Sequence, residues 1–386
     1  MADPVTRFEP RTDAAVIDDL RRRLRATRWP DMTDDAGWGL GVDVDYLREL
    51  VDYWIDDFDW QASEDSICAL PHRRIIIRGL GIHVIHRTAV PGARPAVPLL
   101  LNHGWPDSSW RYLKVLPLLA DPGTHGGDPD DAFDVIVPDM PGFGHSERPT
   151  RLIDSRDVAG LWGELMTELG YERFLTAGGD MGSHVSRFLA LDHPDRVVAV
   201  HRMDAGLPRY TGDPADLTDD ERAWLRTGAN WARAEGGYAA MHSTKPQTAA
   251  VGLTDSPAGL AAWIVEKLRS WSDCGGDIES AFTKDDILAL VTQYWVTETI
   301  GSSMRMYRAN AMIPPEQYTR RVEVPSGFSL FGGDVLRPPR AWLERTANVV
   351  SVTEPARGGH FAPYEQPESY AEELRTFFRP FRSHFR

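Results

Sequence analysis

The sequence predicts an α/β fold: a mostly parallel sheet with helices on both faces, carrying a helical insertion and preceded by a helical extension. From about residue 96, short apolar runs alternate with helical patterns, the βαβ rhythm of a parallel sheet. Between about 203 and 312 that rhythm stops, and a Trp- and Tyr-rich helical stretch takes over with Leu260, Ile264 and Leu268 on one stripe. A chain of 386 residues, 42% hydrophobic and 26% charged, needs no disulfide or metal staple to hold such a core.

Each element has its own signal. Val16, Ile17, Leu20 and Leu24 recur at helical spacing until Trp29-Pro30, and Tyr46, Leu47, Leu50, Val51 and Trp54 mark a second helix. The period then falls to two, and Ile75, Ile77, Ile82, Val84 and Ile85 flank Gly79-Leu80-Gly81, a hairpin signal. Trp29, Trp38, Trp54 and Trp60 of this opening segment call for burial against the rest of the molecule. Strands follow at 97–101, 133–137, 174–177, 197–200, 328–331 and 349–352, with helices at 112–119, 158–169 and 185–191 and a last one through Tyr370, Leu374 and Phe378. The chain divides into an extension (1–90), a first core part (91–202), a helical cap (203–312) and a second core part (313–386). Insertions at the carboxyl edge of such a sheet usually roof an active site.

Composition narrows the partners. Lys and Arg number 42 against 57 Asp and Glu, a net charge of −15, which argues against nucleic acid and anionic membrane. Two cysteines, Cys68 and Cys274, make no disulfide framework, and residues 1–10 lack the apolar core of a signal peptide. No stretch approaches the ~18 apolar residues of a membrane span. The expected location is the cytoplasm.

The tripeptide Gly-Gly-Asp occurs four times. The copies ending at Asp128 and Asp277 lie in polar stretches and read as turns. Those ending at Asp180 and Asp334 follow apolar strands, at the carboxyl ends where open α/β sheets place ligands. Gly178-Gly179-Asp180-Met181-Gly182 has the small-x-nucleophile-x-small form of a strained strand-to-helix elbow; the bland alternative is a helix-capping Asp. Gly358-Gly359-His360-Phe361 follows the last strand, so the chain order is Asp180, Asp334, His360: nucleophile, acid, histidine, as in α/β-hydrolases. His103-Gly104-Trp105-Pro106 follows the strand ending at 101, a placement that lets the Trp105 and Met181 N–H groups form an oxyanion hole. His83 and His86, three apart on a strand, face opposite sides and make no metal site. Pro141-Gly142-Phe143-Gly144 lacks the rest of a dinucleotide fingerprint and reads as structural.

An Asp nucleophile limits the chemistry. It is ionised at neutral pH and suits displacement at saturated carbon, giving an ester that activated water can open. Epoxides and alkyl halides are the main candidates: an epoxide oxygen needs a proton donor such as Tyr, a departing halide an N–H donor such as indole. As roof tyrosines, Tyr210, Tyr238, Tyr294 and Tyr307 are equal candidates from spacing alone.

Over nearly its whole length the chain resembles the microsomal-type epoxide hydrolases with their N-terminal extension. The likeness rests on Asp18-Asp19-Leu20-Arg21-Arg22-Arg23-Leu24, Arg28-Trp29-Pro30, His103-Gly104-Trp105-Pro106, Gly178-Gly179-Asp180 and Thr244-Lys245-Pro246-Gln247-Thr248. It continues in Asp255-Ser256-Pro257-Ala258-Gly259-Leu260, Glu266-Lys267, Arg357-Gly358-Gly359-His360-Phe361 and Glu365-Gln366-Pro367. The resemblance implies an α/β-hydrolase fold with a helical cap, Asp180 as nucleophile, His360 and Asp334 as the water-activating pair, and Tyr238 and Tyr307 as the oxirane-polarising phenols. Trp105, Pro106, Met181 and Phe361 are expected to contact substrate. Met181 stands where relatives commonly carry Trp, and the membrane anchor of mammalian relatives is absent, which implies a soluble enzyme. The expected partners are a small epoxide and water, with no metal or cofactor; a homodimer is compatible with the sequence. Detoxification and natural-product biosynthesis are both roles found among such relatives. The rivals are a haloalkane or haloacid dehalogenase, which shares Asp180 and His360, and a non-catalytic ligand-binding relative, against which the complete triad argues.

Overall fold

The computed structural model describes residues 5–33, 37–90, 92, 95–206 and 209–385. Nine strands form one sheet: β1 (Val5–Arg7), β2 (His72–Ile77), β3 (Leu80–Arg87), β4 (Val97–Asn102), β5 (Phe133–Pro138), β6 (Phe174–Gly178), β7 (Val197–Arg202), β8 (Val322–Ser329) and β9 (Ala347–Thr353). Their order across the sheet is β1-β2-β3-β5-β4-β6-β7-β8-β9. The first three pairings are antiparallel, and every pairing from β5–β4 onward is parallel.

Period-two alternation divides the core between the two faces. Leu99, Leu101, Val135, Val137, Leu175 and Ala177 face helices Leu116–Ala120 and Pro367–Phe378. Leu100, Ile136, Phe174 and Val200 face helices Ser155–Glu168 and Met181–Asp192. Because β4 is buried at all six positions, it reads as a continuous apolar run, as a central parallel strand should.

Between β7 and β8 the chain makes the helical layer expected there, with helices Asp219–Ala234, Gly237–Thr244, Pro246–Asp255, Pro257–Trp271, Lys284–Thr297 and Ile300–Asn310. The N-terminal helices Ala14–Arg25, Val44–Asp56 and Trp60–Cys68 brace it. Trp54 donates its indole N–H to Thr292 Oγ1 at 3.0 Å, and Arg23 pairs with Asp255 at 2.7 Å. Trp54 and Trp60 are buried, but Trp29 and Trp38 are only half-buried, beneath the Arg48 and Arg269 guanidiniums at 5.3 and 4.5 Å. A flat cation over the ring substitutes there for full burial.

Local chemistry shifted several boundaries. The hairpin turns at Arg78-Gly79, both at positive φ, while Leu80 and Gly81 already belong to β3; a two-residue turn of this hand needs positive φ at both central positions. The helix expected over 112–119 is split into a 3₁₀ turn, Ser109–Tyr112, and the short helix Leu116–Ala120 with Pro117 in its first turn. The strand expected at 328–331 begins at Val322 and ends at Ser329, because Pro325 and Ser326 at its register irregularities hide its start from the apolar pattern. β1, which the sequence did not signal, pairs Val5 with Ile75. The Gly-Gly-Asp copies at Asp128 and Asp277 cap short 3₁₀ turns, each accepting a backbone N–H.

Candidate active site

The elbow forms because its neighbours lack side chains. Asp180 sits at φ 57° and ψ −129° between β6 and helix Met181–Asp192, a conformation that a non-Gly residue adopts only under constraint. A Cβ on Gly178 would stand 2.4 Å from the Gly182 carbonyl oxygen, one on Gly182 2.0 Å from that of Asn102 in β4, and one on Gly104 2.4 Å from the Asp180 side chain. Gly182→Ala is therefore expected to cost about 2–3 kcal/mol in unfolding free energy, since both contacting groups are backbone. A urea midpoint equal to the parent's would show that the elbow can open instead.

The tight packing delivers the Asp180 carboxylate to two donors. Its Oδ1 accepts the Trp105 N–H at 2.9 Å, and the Met181 N–H also bonds the carboxylate. Burial opposes ionisation, yet His360 and these two N–H groups hold the carboxyl below its ordinary range. His360 Nε2 lies 3.4 Å from Asp180 Oδ2, and Nδ1 lies 2.9 Å from Asp334 Oδ1. Burial again works against charge, but the flanking carboxylates of Asp334 and Asp180 raise the imidazole to about 10. His360 thus stands protonated between two carboxylates in the free enzyme.

The histidine loop is clamped from three sides. The His360 N–H donates to the Trp271 carbonyl at 2.8 Å, and Arg111, ion-paired to Asp107 at 2.5 Å, donates to the His360 carbonyl. Glu365 accepts the N–H groups of Asp273, Gly359 and Phe361 at 2.8, 3.0 and 2.9 Å. A Cβ on Gly359 would meet Asp273 N at 2.6 Å and the Trp271 oxygen at 2.7 Å, which explains the bare backbone before His360.

Above the carboxylate, Tyr238 on helix Gly237–Thr244 and Tyr307 on helix Ile300–Asn310 stand edge to face, ring centroids 5.8 Å apart at 84°. Burial, then for Tyr238 the charge of Asp180 and for Tyr307 its partner phenol and Asp180, raises both phenols above their ordinary value. Of the other two tyrosines, Tyr294 is buried with its hydroxyl donating to the Asp107 carbonyl at 3.0 Å, and Tyr210 donates to the Asp213 carbonyl at 3.1 Å. Those hydroxyl protons are already committed to backbone.

These groups open on a cavity of about 600 Å³, with Asp180, Met181, Tyr238, Tyr307, Trp271 and His360 in its wall. Trp105, Pro106 and Phe361, expected to contact substrate, do not line it. The fully buried Trp105 ring stacks on Tyr238 at 5.4 Å and 10°, and the fully buried Phe361 ring stacks on Trp271 at 6.3 Å and 15°. Pro106 is buried next to Trp105. The two rings support the residues that form the wall.

Sequence reasoning missed Asp204, just beyond β7. Its Oδ2 accepts the Asp180 backbone N–H at 2.7 Å and its Oδ1 that of Gly206 at 2.8 Å, while burial pushes its pKa up to about 6. It tethers the Asp180 amide, and its place after a central parallel strand was the available signal. His83 and His86 do diverge: the first meets Asp139 and His72 at 2.7 and 2.8 Å, the second the Tyr171 hydroxyl at 3.0 Å. Among the described residues there is no group of three His, Cys, Asp or Glu able to hold a metal ion, and no helix long and apolar enough to cross a membrane.

The chain is similar to known proteins. Residues 5–112 match the family model for the epoxide hydrolase N terminus, and residues 97–246 that for the alpha/beta hydrolase fold. A provisionally named epoxide hydrolase of Stigmatella aurantiaca is 39% identical, over 98% of this chain and 86% of its own length. Epoxide hydrolase 1 of Sus scrofa is 34% identical, over 96% and 87%. The crystal structure of juvenile hormone epoxide hydrolase from Bombyx mori superposes with a TM-score of 0.89 at 26% identity, covering 99% of this chain and 96% of that one. The fold is that of the α/β hydrolases, and the chain belongs to the epoxide hydrolase family of hydrolytic enzymes.

Proposed function

We propose that this enzyme converts an epoxide to a vicinal diol through an ester on Asp180. One observation carries the reading: a carboxylate at the elbow faces an imidazole–carboxylate pair on one side and two adjacent phenols on the other, around one cavity. Asp180 Oδ1 rests on the Trp105 N–H, which leaves Oδ2 to attack a ring carbon. As the ring C–O bond breaks, Tyr238 or Tyr307 gives its proton to the departing oxygen, and a hydroxyalkyl ester forms.

The ester resets the histidine. Alkylation removes the Asp180 charge, one of the two carboxylates that keep His360 protonated. With only Asp334 left, His360 gives up its proton more readily; that proton returns to the phenolate left by ring opening, and the neutral imidazole becomes the base that takes one from water. Water attacks the ester carbonyl and the Trp105 and Met181 N–H groups hold the oxyanion; as the ester C–O bond breaks, the second proton of that water passes to the departing alkoxide, giving the diol and the Asp180 carboxylate, with His360 again protonated.

A second reading has one observation in its favour. The indole N–H of Trp271, in the cavity wall, is buried without a hydrogen-bond partner, and a departing halide takes donors of this kind. Both readings are separated by the intact mass of His360→Gln after incubation with styrene oxide, with a short alkyl halide in parallel and Asp180→Asn/His360→Gln as control. A stoichiometric adduct of the whole epoxide, absent from the control, is expected. An adduct from the halide alone would make the enzyme a dehalogenase, and none from either would point to a ligand-binding protein.

A further inference from the structure

Beyond the reacting groups, the cavity continues over a wall that ring opening does not use. His184, Arg187 and Phe188 follow Asp180 at helical spacing and line the same cavity, so it extends about 10 Å along helix Met181–Asp192 from the nucleophile. Arg202, Arg209 and Tyr318 complete this wall, and Ile313, Leu336 and Trp342 bring apolar surface beside it.

The wall is short of negative charge. Arg202 is 4% exposed; its Nε donates to Ser183 Oγ at 2.9 Å, and among the described residues no carboxylate lies within 4.0 Å of its nitrogens. Arg187 spends its donors on the carbonyls of Gln317, Tyr318 and Arg320 at 3.1, 3.2 and 2.6 Å, which anchors the chain there without cancelling the charge. Arg209, exposed, lies over the Tyr318 ring at 4.7 Å. Burial together with the nearby arginines pushes His184 down to about 3, and burial pulls Arg187 to about 9 and Arg202 to about 10. Arg345, also in the wall, is neutralised by Glu221. Of the cavity's three acids, Asp180 and Asp334 lie at the reacting end; Asp204 attracts Arg202 through space, but both its oxygens are held by backbone N–H groups and it makes no ion pair with the guanidinium.

We propose that the substrate is an epoxide bearing a carboxylate, which Arg202 and Arg209 receive while the ring lies at Asp180 and the phenols. The proposal rests on the epoxide hydrolase reading and adds to it the class of substrate. A buried guanidinium without a direct ion pair is costly, and a ligand carboxylate makes with it the charge-assisted hydrogen bonds that the distant Asp204 does not. The apolar residues beside the arginines suit an aliphatic chain between carboxylate and ring.

The test compares 7,8-epoxyoctanoate with its methyl ester and with 1,2-epoxyoctane, in the parent and in Arg202→Gln and Arg209→Gln. The parent is expected to favour the carboxylate over the ester in kcat/KM by at least about tenfold, and Arg202→Gln to shrink that preference about 10- to 100-fold. Arg209→Gln, at an exposed position that leaves folding intact, is expected to shrink it about threefold. Calorimetry with octanoate and octanamide needs no turnover: octanoate is expected to bind the parent at least about tenfold more tightly than the amide and to lose that margin in Arg202→Gln. Equal binding of the two, or a parent that prefers the ester, overturns the proposal. If 1,2-epoxyoctane is hydrolysed without any preference for the carboxylate, this inference alone falls. If no epoxide is turned over, the epoxide hydrolase reading falls, and the calorimetry still decides the anion site.

Discussion

Replacing Asp180 by Asn is expected to lower the kcat for styrene oxide hydrolysis by about 10⁴-fold or more, the scale seen when an enzyme loses its covalent nucleophile. Asn keeps the shape of the side chain, and its Oδ1 can still accept the Trp105 N–H that now bonds Asp180 at 2.9 Å. What it loses is the negative charge on Oδ2, and a neutral amide does not displace an alkoxide from carbon. The substitution also leaves Asp334 as the sole carboxylate on His360, so the imidazole is less strongly protonated than in the parent. Circular dichroism should show an intact fold, because the elbow is set by Gly178, Gly182 and Gly104 rather than by the carboxylate charge. Residual turnover within tenfold of the parent would remove Asp180 from the mechanism.

Tyr238→Phe/Tyr307→Phe is expected to slow ester formation by about 10³-fold, within the range for loss of positioned acid and electrostatic stabilisation. Each single variant should lose less, since the surviving phenol still faces the same carboxylate; the two effects should not multiply independently. Both hydroxyls are buried and held protonated well beyond neutrality, and Asp180 is ionised below the usual carboxylate range. Single-turnover alkylation should therefore be flat between about pH 6 and 9, where acid and nucleophile both keep their working forms. Stopped-flow tryptophan fluorescence is a suitable probe, because Trp105 stacks on Tyr238 and meets Tyr307 edge-on at 5.9 Å. Unchanged alkylation in the double variant would show that neither phenol donates the proton.

The residues that sequence exposed best are those whose role is enforced by their neighbours in the chain. Gly178 and Gly182 around Asp180, and Gly359 before His360, are bare because backbone lies where a Cβ would stand, and Gly358 because its φ of 105° is one that side chains rarely adopt. The strand and helix alternation was equally plain, since a period of two or 3.6 is written into consecutive residues. Boundaries failed where Pro117 and Pro325 interrupted those periods.

Spacing left four roof tyrosines equal, and only the resemblance chose between them; the fold gives the physical difference, since Tyr294 and Tyr210 spend their hydroxyls on carbonyls, whereas Tyr238 and Tyr307 feel the charge of Asp180 across the cavity. Trp105 and Phe361, which look from sequence like substrate contacts, are supports behind the wall. Asp204, Glu365, Trp271 and the Arg202–Arg209 wall carry no local motif. The sequence by itself determined the fold class, the elbow and the order Asp180, Asp334, His360, because these depend on backbone geometry over a few residues. The tertiary structure alone decided what faces the cavity and which charges go unpaired there, because that depends on how helices distant in the chain rotate against one another.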